Sequence, residues 1–143
     1  MSSIPHPAAL AAWHQVVQSR DPSTLSALLD DDVVFHSPVV HTAQRGKRIT
    51  LKYLMGAMQV LNNAAFRYER EIVGAHDALL EFSTEIDGIL INGIDLIRWN
   101  EAGRIVDFKV MVRPLKAVNL LHQRMGAMLE MLKQGAQVQG RAL

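Results

Sequence analysis

Apolar and polar positions alternate from Ala78 to Pro114, the two-residue period of strands that bury one face. Asp87-Gly88 and Asn100-Glu101-Ala102-Gly103 fall where the chain must reverse. The stretch therefore predicts three consecutive antiparallel strands, with a single acid, Asp95, in the middle of the second. Upstream the period lengthens. Leu10, Trp13, Val16 and Val17 recur at helical spacing and predict a helix from Ala8 to Ser19. Asp21 is placed to cap a second, short helix that starts at Pro22 and ends near Leu29. A strand from Val33 to His36 follows, closed by Ser37-Pro38, and the three acids Asp30 to Asp32 before it read as a solvated turn. After a loop from Val39 to Gly46, a helix from Lys47 to Asn62 carries Ile49, Tyr53, Leu54, Met58 and Leu61 on its apolar face. Phe66, Tyr68 and Ile72 mark a further strand, Phe66 to Gly74. A last helix, Leu115 to about Lys133, presents Val118, Leu121, Met125, Met128 and Leu132 as one stripe. Short helices followed by a run of strands, with helices on one sheet face, make an α+β arrangement. The expected organisation is one domain over residues 1–133, with a flexible lead through Pro5 and Pro7 and a flexible tail over 134–143.

Composition narrows the possibilities. The chain has 143 residues, 49% of them apolar, enough to bury a core without staples. Fifteen basic and fourteen acidic residues are spread without blocks of one sign, so no nucleic-acid footprint is expected. Cysteine is absent, which removes disulfides, thiolate catalysis and cysteine-ligated metals. The segment MSSIPHPAALAAW lacks a basic region followed by an apolar run, and no apolar stretch is long enough to span a bilayer. The reading is a soluble, cytoplasmic protein with no membrane partner.

Two short helices, a strand ending in FHSP, a helix entered after a glycine, and strands closing in GRIVDFKVMVRP resemble the SnoaL-like, nuclear transport factor 2-like superfamily. The likeness covers roughly Ala8 to Lys116. It implies a cone-shaped barrel made of a bent antiparallel sheet, with helices packed on its concave face around an apolar interior. Within the superfamily, Ile94-Asp95-Leu96-Ile97-Arg98-Trp99 followed by Gly103-Arg104-Ile105 is similar to a strand pair of the ketosteroid isomerase branch. There the acid at the position of Asp95 stays protonated and donates a hydrogen bond to a developing enolate. The same alignment sets Ser37 at that branch's proton-abstracting aspartate and Trp13 at its tyrosine donor. The epoxide hydrolase branch departs elsewhere. Gly93 stands where its arginine would be, and Val110 where its second acid would be.

The residues give Asp95 weight without the family. It shares a strand face with Ile91, Gly93, Ile97 and Trp99, opposite Ile94, Leu96 and Arg98. Burial on that face without a cation disfavours the carboxylate and raises its pKa, and stability then falls as the pH rises toward the folded value. An acid paired with Arg, His or backbone donors is the structural alternative. The candidate catalytic groups are Asp95, His36 and Tyr53. By strict alternation His36 points away from Ser37, but the bend at Pro38 can bring its imidazole to the rim. His41, in the loop beyond, is a candidate lid residue, whereas His14, His76 and His122 read as solvent-facing. Trp13, Phe35, Ser37 and Met58 are expected in the pocket wall, and so are Phe82, Ile97, Phe108 and Val110. No metal and no organic cofactor is expected, since neither the acids at 30–32 nor the histidine spacing builds a site. Lys109, Met111 and Arg113 share the other face of the last strand, and Ile94 and Leu96 would be wet there. A homodimer through the outer sheet face is therefore expected. Two functions stay open. One is an isomerase, cyclase or hydrolase acting through Asp95 on a small apolar oxygenated molecule of polyketide, steroid or terpenoid kind. The other is a non-catalytic ligand-binding or dimerisation module.

Overall fold

The computed structural model describes residues 7–142, with side chains through Met131 and at Lys133. The lead through Pro5, the side chain of Leu132 and those of the tail 134–143 lie outside the described residues. The elements run α1 (Ala8–Ser19), α2 (Pro22–Leu28), β1 (Leu29–His36), β2 (Gln44–Arg45), α3 (Lys47–Leu61), β3 (Arg67–Val73), β4 (Asp77–Ile86), β5 (Ile89–Trp99), β6 (Ile105–Arg113) and α4 (Leu115–Ala142).

The turns explain why the chain reverses where it does. Asp87 and Gly88 both take positive φ, 53° and 77°, which matches the twist of a tight hairpin and joins β4 to β5 with Ile86 opposite Ile89. Between β5 and β6, Gly103 at φ 79° donates to the Asn100 carbonyl, and the Asn100 side chain accepts from the Arg104 amide. Asp21 caps α2 by accepting from the Ser23 amide at 2.9 Å.

The six strands form one sheet in the order β2-β1-β6-β5-β4-β3. The central strands are antiparallel as expected, but β1 lies parallel to β6, so the sheet is mixed, and β2 and β3 are left as free edges of a curved, unclosed cone. Several boundaries differ from the sequence reading. Asp30 to Asp32 belong to β1. The register against β6 shifts between Leu29 and Val34, so the acid run is a bulged piece of strand that needs no apolar alternation. The short β2 sits in the expected loop and pairs with Val34 and Phe35. β3 carries its own irregularity between Tyr68 and Arg70, which turns Ile72 out to solvent at 57% exposure. α4 runs to Ala142, past the end expected at Lys133.

Alternation holds best on β4 and β5. Ala78, Leu80, Phe82, Thr84 and Ile86 face inward on one, and Ile91, Gly93, Asp95, Ile97 and Trp99 on the other. The helices cover this face with Leu10, Trp13 and Val16 from α1, Leu54 and Met58 from α3, and Ala117 and Leu121 from α4. Each fully buried Leu or Phe contributes about 1.5–3 kcal/mol, so this inward stripe is the main source of stability. α4 packs on α3 at Gly56, where a Cβ would stand in contact with Met128 Cγ at 3.4 Å.

Candidate functional site

Between the sheet and the helices lies a cavity of about 230 Å³. Asp95 forms part of its floor, held by β5 between Leu80 on β4 and Val110 on β6, with 7% of its surface exposed. Tyr68, on β3, donates its hydroxyl hydrogen to Asp95 Oδ2 at 2.7 Å. The indole Nε1–H of Trp13, on α1, donates in turn to the Tyr68 oxygen at 3.1 Å. The tyrosine ring is fixed edge-on by Phe66 at 5.2 Å and by His14 at 5.5 Å, and His14 itself lies 2.5 Å from Glu71.

The direction of this chain matters chemically. Tyr68 has one proton and gives it to Oδ2, which leaves Oδ1 of Asp95 for a molecule in the cavity. Burial lifts the Asp95 pKa from 3.8 to about 7, against the opposing pull of the Tyr68 hydrogen bond. Burial also pushes the Tyr68 hydroxyl well above its ordinary range, with the Asp95 charge and hydrogen bond adding to it. Near neutrality Asp95 therefore exists both as an O–H donor and as a carboxylate acceptor inside an apolar hollow.

The structure distributes the expected residues unevenly. Trp13, Phe35, Ser37, Met58, Phe82, Phe108 and Val110 line the cavity with Asp95 and Tyr53. Ile97 shares the strand face of Asp95 but is packed into the core, outside the lining. Tyr53 comes from α3, its ring 5.4 Å from Phe35. Ser37 spends its oxygen on the Val39 amide at 3.1 Å. His36 does not reach the rim. Alternation on β1 turns it to the outer side, where its Nε2 lies 3.0 Å from Asp107 Oδ1, and the bend at Pro38 does not bring it back. His41 lines a neighbouring groove with His36 and Lys109, which shares Ser37, Pro38, Val40 and Val110 with the cavity, but neither histidine lines the cavity itself. His14, expected in solvent, is half-buried against Tyr68 and Glu71. Among the described residues no three His, Asp or Glu side chains converge as a metal site.

Two ionisable cavity residues were not singled out from sequence. Tyr68 was legible as an inward strand residue, but its meeting with Asp95 depends on the register of three strands. His122, read as solvent-facing, is exposed yet lines the cavity from α4 beside Leu121, Met125 and Gly126. Its place next to the apolar stripe of that helix was the available signal. The exposed lining residues, Val40, His122 and Gly126, put the mouth between the loop 37–40 and α4.

Among the described residues no helix is long and apolar enough to cross a membrane. A search of curated proteins gives no match. Among solved structures, a steroid delta-isomerase from Pseudomonas aeruginosa is 36% identical, covers 92% of this chain and 99% of its own, and superposes with a TM-score of 0.84. An uncharacterised bacterial protein with a cystatin-like fold from Silicibacter pomeroyi is 35% identical over 84% of each chain, with a TM-score of 0.77. A putative polyketide cyclase from Sinorhizobium meliloti, 16% identical over 73% of this chain and 94% of its own at a TM-score of 0.58, shares the fold alone. The protein-family model for the SnoaL-like domain matches residues 10–108, so the chain belongs to the SnoaL-like family of the nuclear transport factor 2-like superfamily.

Proposed function

We propose that this protein binds a small apolar ketone and promotes proton transfer next to its carbonyl, an isomerase-type reaction in which protonated Asp95 holds the carbonyl and then the enolate oxygen. The observation that carries this reading is the Asp95 carboxyl: buried, titrating at about pH 7, and with one oxygen left uncommitted toward an apolar cavity. A preorganised donor in a water-poor site stabilises a developing oxyanion far more than the same donor in water does. The name of the Pseudomonas aeruginosa neighbour points the same way. At about 230 Å³ the cavity falls short of the roughly 300–1,000 Å³ that encloses drug-sized ligands. One or two rings fit inside, with any remainder at the mouth. Proton transfer of this kind balances within the substrate and needs no co-reactant.

A second reading, a binding module without turnover, is favoured by Ser37 and Trp13 standing where the isomerase branch has its base and its tyrosine. Both readings include a second copy of the chain on the outer sheet face. Binding of α-tetralone, a two-ring ketone, followed by protein fluorescence across pH tests the shared core of both. A ketone oxygen only accepts, so affinity should fall about tenfold per pH unit above pH 7 as Asp95 loses its proton. Asp95→Asn keeps a donor and should bind without pH dependence, and Asp95→Leu should lose about tenfold or more. Unchanged binding by Asp95→Leu would overturn the reading.

A further inference from the structure

We infer that His122, at the mouth of the cavity on α4, is the base that takes the proton from the carbon beside the ketone carbonyl. This assignment rests on the proposed binding of a ketone by Asp95. The reaction needs a proton acceptor, and the cavity offers few. The ionisable side chains that face His122 across it are Tyr53 from α3, Tyr68 from β3 and Asp95 from β5. Tyr68 has its proton committed to Asp95, and Asp95 is the donor at the carbonyl end. Ser37 has its oxygen on the Val39 amide, and a serine hydroxyl unaided is a poor base at neutral pH. No charged side chain of the loop 37–40 or of α1 lines the cavity.

His122 meets the requirements by position. It lines the cavity and is exposed at its edge, opposite in depth to the buried Asp95. Among the described residues it has no hydrogen-bond or ion-pair partner, so its imidazole is uncommitted. Its helical neighbours three and four residues away are Val118, Asn119, Met125 and Gly126, none of them charged. Arg124, two residues on, is tied to Asp87. One turn further, Gly126 has open space where a Cβ would stand. Glycine inside a helix costs about 1 kcal/mol relative to alanine, and here no neighbouring atom demands it.

The step balances as follows. An imidazole nitrogen lone pair takes a proton from the α-carbon, the C–H electrons form a carbon–carbon double bond, and the carbonyl π pair moves to oxygen, where the Asp95 O–H holds it. Imidazolium then returns the proton to the same carbon, or to the far carbon when a β,γ double bond is present. In the second case the product is the conjugated isomer.

Uptake of deuterium at the α-carbon of α-tetralone in D₂O, followed by NMR, reads this step directly. The wild-type protein should accelerate exchange, and the acceleration should fall away as the pH rises past about 7, where Asp95 gives up its proton. His122→Gln should slow exchange by about 100-fold or more with α-tetralone affinity unchanged. In His122→Ala, imidazole added to solution should restore part of the rate through the open mouth. Exchange by His122→Gln at the wild-type rate would overturn the assignment. Wild-type binding that depends on Asp95 but brings no exchange would overturn the role of His122 and leave the binding reading standing. No binding by the wild type would overturn both.

Discussion

Asp95 keeps its proton to about pH 7 because its surroundings are apolar, and the same physics makes the residue a liability to the fold. The folded pKa exceeds the unfolded value of 3.8, so between the two the native state holds a proton that the unfolded chain has released. Stability is fully present below pH 3.8, falls as the pH rises, and levels off above about 7. At about 1.4 kcal/mol per pH unit the loss is on the order of 4 kcal/mol. Asp95→Asn removes the ionisation but keeps the shape and an acceptor for Tyr68. In urea unfolding it should match the wild type near pH 4 and exceed it by a few kcal/mol at pH 8. Tyr68→Phe deletes the one hydrogen bond that favours the carboxylate, so the descent should extend to higher pH. An Asp95→Asn protein less stable than the wild type at pH 8 would mean that the carboxylate is held charged by the fold. At this scale the sequence was informative about Asp95, because a strict two-residue period gives an acid an unambiguous face. It was silent on the hydroxyl beside it, because Tyr68 reaches Oδ2 only through the irregular register of β3 and the curvature of the sheet.

Between elements, close approach decides what the strands can carry. A Cβ on Gly93 would run into the Phe82 ring and the Met111 carbonyl, so β5 admits no side chain at that position. The arginine of the epoxide hydrolase branch is thus excluded sterically, and Phe82 lies across the gap as cavity wall. Gly93→Ala should destabilise by about 1–3 kcal/mol through overpacking and displace Phe82 into the cavity. Urea midpoints and α-tetralone affinity should both fall, and a fall in stability alone would show that Phe82 has room to move elsewhere. The helices and the β4–β6 meander were legible because periodicity and turn chemistry agree there: Asp87-Gly88 supplies the positive φ that the hairpin needs, and Asp21 caps where Pro22 starts a helix. The parallel pairing of β1 with β6 was not, since nothing local in Leu29–His36 records a partner seventy residues away. The bulge at Asp30 to Asp32 hid the start of that strand for the same reason. A run of acids has no alternation to read, and only the tertiary partner defines it as β structure.

Taken whole, the molecule covers one sheet face with helices and leaves the other to solvent. β6 and β5 are the two middle strands of the sheet, so the centre of the outer face is built from their outward residues. Ile94 and Leu96 are half-buried there, Met111 is 50% exposed, and Lys109 stands beside it. An apolar centre on a curved sheet suits a two-fold partner, because the same patch then meets itself. The proposed homodimer follows from this surface, and it is independent of the cavity, since alternation sends Met111 outward and Val110 inward. Sedimentation should therefore give twice the 15.9 kDa of the chain. Met111→Lys places two cations against each other across the axis and should yield monomers, with the α-tetralone affinity and its loss above pH 7 intact. Dimers that survive this substitution would move the interface off the centre of the sheet. Monomers that also lose the ketone would show instead that the second copy braces β6, and through Val110 the floor on which Asp95 sits.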